Sequence, residues 1–201
     1  GYWNLDKHVK NLQSFGQTVV IAFNKFATDT DEEIEVLRKH CEEMGCGFAV
    51  NSAFAEGGNG AIELANLVVK TIDERPSAPL YFAYDDNDSV EEKIEKVAFN
   101  LYGAGSVTLS DSAKAMIEEI KKLGAEKFPI CIAKTQYSFS TDAKAYGPTE
   151  GFELHVRDIT VNMGAEMIVV IAGPIMRMPG LPKSPQAERI DVVNGEITGL
   201  S

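Results

Sequence analysis

Leu5, Val9, Leu12 and Phe15 recur at helical spacing and Gly16 follows as a stop, so an amphipathic helix is expected over Leu5–Phe15. Val19–Phe23 is a continuous apolar run of strand length, which suits a strand buried on both faces of a parallel sheet. Thr28, Asp29 and Thr30 then offer caps, Asp31, Glu32 and Glu33 place acid in a first helical turn, and Ile34, Leu37 and Cys41 form an inward stripe ending near Gly45 or Gly47. Phe48–Val50 reads as a short strand, 51–59 as a loop, and Gly60–Ile72 as a helix carrying Ile62, Ala65, Leu67, Val69 and Ile72. This repeated strand, loop and helix predicts an open α/β layer with a parallel sheet, whose ligands sit at the carboxyl ends of the strands.

Arg75-Pro76-Ser77-Ala78-Pro79 interrupts the pattern, so a boundary is placed there, dividing the chain into residues 1–78 and 79–201. Beyond it Leu80–Tyr84 reads as a strand, Val90–Tyr102 as a helix, Ser110–Leu123 as a helix stopped by Gly124, and Ile130–Ala133 as a strand. Phe152–Val161 alternates like a half-buried antiparallel strand, with Glu166–Ala172 as its hairpin partner. From Gly173 the chain is expected to be loop-rich, with a short hairpin about Asn194-Gly195. The expected fold class is α/β: the C-terminal β-α units of a P-loop-type parallel sheet, followed by a smaller α+β domain.

Composition narrows the function classes. The 201 residues are 44% hydrophobic, enough for an ordinary core, and 19 Lys plus Arg against 30 Asp plus Glu give a formal charge of −11, which opposes nucleic-acid binding. The apolar runs Val19–Phe23 and Met167–Ala172 are far shorter than the roughly 20 residues of a membrane span. The start, Gly1-Tyr2-Trp3-Asn4-Leu5, lacks Met and any leader pattern, so an internal stretch of a longer protein is expected. Cys41, Cys46 and Cys131 form no CxxC pair and are expected to be buried free thiols in a reducing compartment. His8, His40 and His155 show no metal-ligand spacing, and no metal site is expected. Asp85-Asp86 and Glu91-Glu92 read as loop and helix-start charge.

The candidate chemistry lies in the loops after the first two strands. Asn24-Lys25 looks like the base-reading Asn-Lys-x-Asp of P-loop GTPases, but Ala27 stands where Asp would accept from guanine. Phe26 and Phe54 occupy matching places after the two strands. They could sandwich a flat ring, each contact contributing about 1 kcal/mol, or simply cover the sheet edge. Gly57, Gly58 and Gly60 could let backbone approach a ligand. Lys134, Thr135, Gln136 and Tyr137 combine a cation, hydroxyls and an amide, which suits polar ligand contacts or domain packing.

Five ordered stretches carry a family resemblance: Phe26-Ala27-Thr28-Asp29-Thr30, Phe54-Ala55-Glu56-Gly57-Gly58-Asn59-Gly60, Tyr102-Gly103-Ala104, 129–138 with its Lys134-Thr135-Gln136-Tyr137-Ser138, and Met178-Pro179-Gly180-Leu181-Pro182. In this order and spacing the chain resembles the formate–tetrahydrofolate ligases, from its first residues to Gly199-Leu200. The resemblance implies ATP-dependent ligation of formate to tetrahydrofolate through formyl phosphate, with Mg accompanying ATP, in cytoplasmic one-carbon metabolism by a homo-oligomer. It also implies that Phe26 and Phe54 are the two faces of the slot for the folate ring, with Val50 as its floor and Ala27 beside it. The family more often has Trp at position 54 and Pro at position 27. No G-x-x-x-x-G-K followed by Ser or Thr occurs, so the N-terminal P-loop part of such an enzyme is an expected partner and the chain alone is expected to be inactive. The alternative is a GTPase-derived nucleotide or folate binding module without ligase activity.

Overall fold

A computed structural model describes residues 2–147, 149–175 and 183–199. Met178-Pro179-Gly180-Leu181-Pro182 and Leu200 lie outside the described residues. Helix α1 (Tyr2–Ser14) leads through Gly16, at φ 77, into strand β1 (Val20–Asn24). Helix α2 (Asp31–Glu43) follows, then β2 (Gly47–Asn51), and β1 and β2 pair in parallel from Val20 opposite Gly47 to Asn24 opposite Asn51. Thr30 caps α2 reciprocally: its hydroxyl accepts from Glu33 N at 3.3 Å while the Glu33 carboxylate accepts from Thr30 N at 3.0 Å.

Residues expected to form an irregular loop are instead mostly helical. Helix α3 (Ala53–Glu56) runs into a 3₁₀ segment, Gly57–Ala61, before helix α4 (Ile62–Glu74). Val9, Val19, Ile34, Cys41, Cys46 and Phe48 form a buried cluster between α1, α2 and one face of the two strands. On the other face Leu67 of α4 lies against Gly47. Val19–Phe23 is not buried on both faces as expected: Ala22 and Asn24 are exposed, because α4 lies mainly over β2.

The second sheet has the order β3-β5-β6-β4, with β3 (Ser106–Leu109), β4 (Ile130–Ala133), β5 (Glu153–Asn162) and β6 (Met167–Ala172). β5 and β6 are antiparallel, and each carries a parallel outer strand. Helices α5 (Val90–Val97) and α6 (Asp111–Leu123) cover one face, burying Ile94, Ile117 and Ile120 against Leu154, Val156, Ile159 and Val170. A bulge between Val156 and Asp158 shifts the phase of β5, so its inward positions run 154, 156, 159. The helix expected to Tyr102 stays α-helical only to Val97, then makes one π turn, Ala98–Tyr102, closed by left-handed Gly103. The hairpin β7 (Asp191–Val193) and β8 (Glu196–Thr198) turns at Asn194 and Gly195, both at positive φ.

Further expectations are corrected. Leu80–Tyr84 is not a strand: Tyr81 N bonds to Phe15 O, Leu80, Tyr81 and Phe82 are exposed, and among the described residues no neighbouring strand offers a ladder. Ser106–Leu109, unassigned from sequence, takes the outer place beside β5 instead. Cys131 is exposed, on the outward side of edge strand β4, whereas Cys41 and Cys46 are buried, and all are free thiols. Among the described residues no helix is long and apolar enough to cross a membrane.

The two cores are joined through α1 and the segment after α4. Asn11 Nδ2 donates to Leu101 O at 2.9 Å, and Ala78 N donates to Gly16 O at 2.9 Å. Lys93 on α5 is 0% exposed, and its ammonium donates to Glu126 O at 2.7 Å and Phe128 O at 3.2 Å above the ring of Tyr84. Burial lowers its pKa, an effect opposed by the charges of Asp86, Asp88 and Asp85. Lys93→Met keeps the length of the side chain but leaves both carbonyls without their donor. We expect a loss of roughly 2 kcal/mol, read as a lower urea midpoint with unchanged m-value.

Candidate functional site

The site is built where β1 and β2 end together. Asn24 and Asn51 face each other across the last rung, and Asn51 Nδ2 donates to Asn24 Oδ1 at 2.8 Å. The other amide atom, Asn51 Oδ1, accepts from Ala53 N at 3.3 Å, and Lys25 N donates to Asn51 O at 3.0 Å. One asparagine thereby fixes the exit of both strands. The signal for it in the sequence was an Asn closing each of two apolar strands, which gains meaning only once the register is known.

Phe26 follows in a turn held at both of its backbone groups by Asp29. Phe26 N donates to the Asp29 carboxylate at 2.7 Å and Asp29 N donates to Phe26 O at 3.1 Å. Lys25 leans away toward Asp31, at 3.3 Å. The Phe26 side chain is 66% exposed and that of Phe54, on the four-residue α3, is 100% exposed. Neither ring therefore covers the sheet edge by packing on it, and among the described residues they make no ring contact with each other. Val50, on β2 opposite Phe23, is partly buried against the first core, and Ala27 is exposed with no group that could accept from a base.

The glycines separate into two kinds. A Cβ at Gly60 would lie 2.5 Å from the carbonyl carbon of Ser52, whose N donates to Gly60 O at 3.0 Å, so this glycine lets two stretches of backbone touch. Around Gly57 and Gly58 nothing lies within 4 Å of such a Cβ. Those two positions face open space beside Phe54.

The loop after β4 is a separate place. Lys134 Nζ donates to Thr135 O at 3.2 Å, to Ser138 O and to Ser140 O at 3.3 Å, and it sits 4.7 Å from the centre of the Tyr102 ring. Its three protons are spent on its own loop, and burial lowers its pKa with no nearby carboxylate to oppose the shift. Burial also raises the pKa of the Tyr102 phenol. Lys134, Thr135, Gln136 and Tyr137 line a cavity of about 270 Å³ with Asn4 and His8 of α1, and neither Phe26 nor Phe54 belongs to its walls.

Comparison with known proteins adds a family. The family model described as formate--tetrahydrofolate ligase matches residues 1–201. A formate--tetrahydrofolate ligase of Bacteroides fragilis is 64% identical over 201 residues, which cover 100% of this chain and 36% of that protein. One of Phocaeicola vulgatus is likewise 64% identical with the same coverage. One of Campylobacter curvus is 48% identical over 204 residues, covering 100% of this chain and 37% of that protein. The chain thus spans little more than a third of the length of these curated relatives.

The contrast among the glycines can be measured. Gly60→Ala must push apart the backbone of 52–53 and is expected to cost roughly 2 kcal/mol, whereas Gly58→Ala should stay within about 0.5 kcal/mol of the parent. Urea denaturation of the two variants side by side checks this, and equal midpoints would show that the 52–60 segment is not packed as described.

Proposed function

The chain belongs to the formate–tetrahydrofolate ligase family, and from that premise we propose that Phe26 and Phe54 are the walls of a slot for the folate ring in an enzyme that joins formate to tetrahydrofolate. The observation that carries this is the pair of unpacked aromatic side chains beyond adjacent, in-register parallel strands. Two large apolar faces left in water are costly unless something flat covers them, and a pterin ring stacks on such faces. Val50 and Ala27 border the slot, and the open backbone at Gly57 and Gly58 lets a ligand come close.

The reaction proceeds in two displacements. Formate oxygen attacks the terminal phosphorus of ATP, giving formyl phosphate and ADP. The N10 amine of tetrahydrofolate then attacks the formyl carbon, the C–O bond to phosphate breaks, the amine proton is lost, and 10-formyltetrahydrofolate and phosphate result. Stacking between Phe26 and Phe54 restrains the ring, so the attacking amine is held rather than free to diffuse.

The residues present do not fit an ATP·Mg site. The phosphate-binding sequence G-x-x-x-x-G-K followed by Ser or Thr does not occur in the chain, and among the described residues no group of three or more His, Cys, Asp or Glu side chains is gathered for a metal. We assign the phosphoryl step to the other part of the enzyme, the N-terminal P-loop part, and this chain alone carries no ligase activity.

Residues 1–78 would then be the C-terminal β-α units of that part's parallel sheet and residues 79–201 a smaller α+β domain. The surface supports a large partner on the first unit. Ile62, Val69 and Ile72 form an exposed apolar stripe along α4, and the α4 side of β1 at Ala22 is uncovered. We place the enzyme in cytoplasmic one-carbon metabolism, and we read the whole protein as a homo-oligomer.

Steady-state kinetics of the whole enzyme test the slot. Phe26→Ala and Phe54→Ala should each raise KM for tetrahydrofolate about tenfold and leave KM for ATP unchanged, while Phe54→Trp, with a larger face and no packing to disturb, should lower it about threefold. An unchanged KM for tetrahydrofolate in both alanine variants would remove the two rings from the site.

A further inference from the structure

Two contiguous cavities lie where α1 meets the second sheet, sharing Asn4 and Phe139 as walls. One, of about 270 Å³, is floored by Tyr102 and Ile132 and closed by the Lys134 loop. The other, of about 260 Å³, has Lys7 and Lys10 on the α1 side and Thr149 and Glu150 opposite. In a chain with a formal charge of −11 this cleft is locally basic. Lys7, Lys10 and Lys134 make no ion pair among the described residues, and Asp6 is committed to His40 at 2.6 Å, which leaves Glu150 as the uncommitted acid in the walls.

Hydrogen-bonding groups are also in surplus. The Asn4 amide, the His8 imidazole and the Gln136 amide make no hydrogen bond among the described residues. Thr149 Oγ1 is buried without a partner, a state that polar atoms in folded proteins rarely keep. The Lys134 ammonium has given its protons to Thr135, Ser138 and Ser140, so it contributes charge to the cavity rather than a contact. Lys7 and Lys134 are partly buried, Lys10 is exposed, and Glu150 is the one uncommitted carboxylate beside them, so positive charge is in excess among idle hydrogen-bonding groups, an arrangement an anion completes.

We propose that this double cavity binds a small anion bearing a carboxylate or a phosphate, held by Asn4, His8, Gln136 and Thr149 in the field of Lys7, Lys10 and Lys134. The site is distinct from the ring slot, since neither Phe26 nor Phe54 lines it, and it does not depend on the ligase reading. Its volume admits one or two anionic groups on a short skeleton rather than a macromolecule.

The test is a titration of the ¹⁵N-labelled chain with inorganic phosphate and, separately, with glutarate, at constant ionic strength set with chloride. Saturable shifts confined to residues 3–10 and 134–140, with Kd of about 1 mM or tighter, are expected for at least one of the two anions. Saturation by phosphate alone assigns a phosphate ester, and by glutarate alone a carboxylate. His8 and Lys10 are exposed, so His8→Ala and Lys10→Gln should fold normally and weaken binding about fivefold each, while Phe54→Ala leaves it unchanged. Non-saturable shifts with both anions, or saturation indifferent to His8→Ala and Lys10→Gln, would overturn the proposal.

Discussion

The meeting of Asn24 and Asn51 at the last rung of the parallel pair is the constraint on which the candidate ring site depends. A parallel ladder fixes register rung by rung, and the side-chain bond of 2.8 Å closes it at the point where both chains leave the sheet. From there each loop has a single way out. Asp29 holds Phe26 by its backbone at the head of α2, and Asn51 starts α3, which lifts Phe54 clear of the protein. A slip of one residue would turn Phe23 and Val50 out of the first core as surely as it would separate the two aromatic loops.

The second sheet is held by a different device, used twice. β4 is entered through a turn whose carbonyls at 126 and 128 are capped by Lys93, and it is left through a loop whose carbonyls at 135, 138 and 140 are capped by Lys134. Each ammonium lies over a tyrosine ring, Tyr84 at 5.6 Å and Tyr102 at 4.7 Å. Burial disfavours both charges; carbonyl dipoles and ring faces offset that cost at each, with the charges of Asp86, Asp88 and Asp85 adding support at Lys93 only. The loop after β4 is consequently a preformed wall, with its backbone carbonyls directed onto Lys134 and the side chains of Gln136 and Tyr137 left to line the cavity.

Elements with their own local signals were legible in the sequence. Thr30 with Glu33, the glycine stops after α1 and α6, and Asn194-Gly195 each announce their structure through backbone chemistry that needs no partner. What depended on distant partners was not legible. Leu80–Tyr84 has a strand's composition, but no strand among the described residues stands beside it, whereas the less apolar Ser106–Leu109 is drawn into the sheet by β5. Cys131 is exposed because it stands on the face of the second sheet that α5 and α6 leave uncovered, as do Glu153 and His155 of the inner strand β5, and which face is covered depends on distant helices. The capping roles of Lys93 and Lys134 were not legible either: the carbonyls that Lys93 meets arrive from 33 and 35 residues away, and Lys134, expected to contact a ligand or another domain, turns onto carbonyls up to 6 residues away in its own loop. Within the site, the placement of Phe26 and Phe54 after their strands could be read directly, but the Asn24–Asn51 bond that aligns them required the register.

The central claim is that the two exposed rings act on one ligand. It is tested most directly by intermolecular NOEs in Phe-labelled whole enzyme saturated with tetrahydrofolate under anaerobic conditions, with Phe26→Leu and Phe54→Leu used to assign the two rings. NOEs from both Phe26 and Phe54 to the same pterin protons are predicted. NOEs from one ring only, or from neither, would contradict the account and leave the pairing of β1 and β2 without the role given to it here.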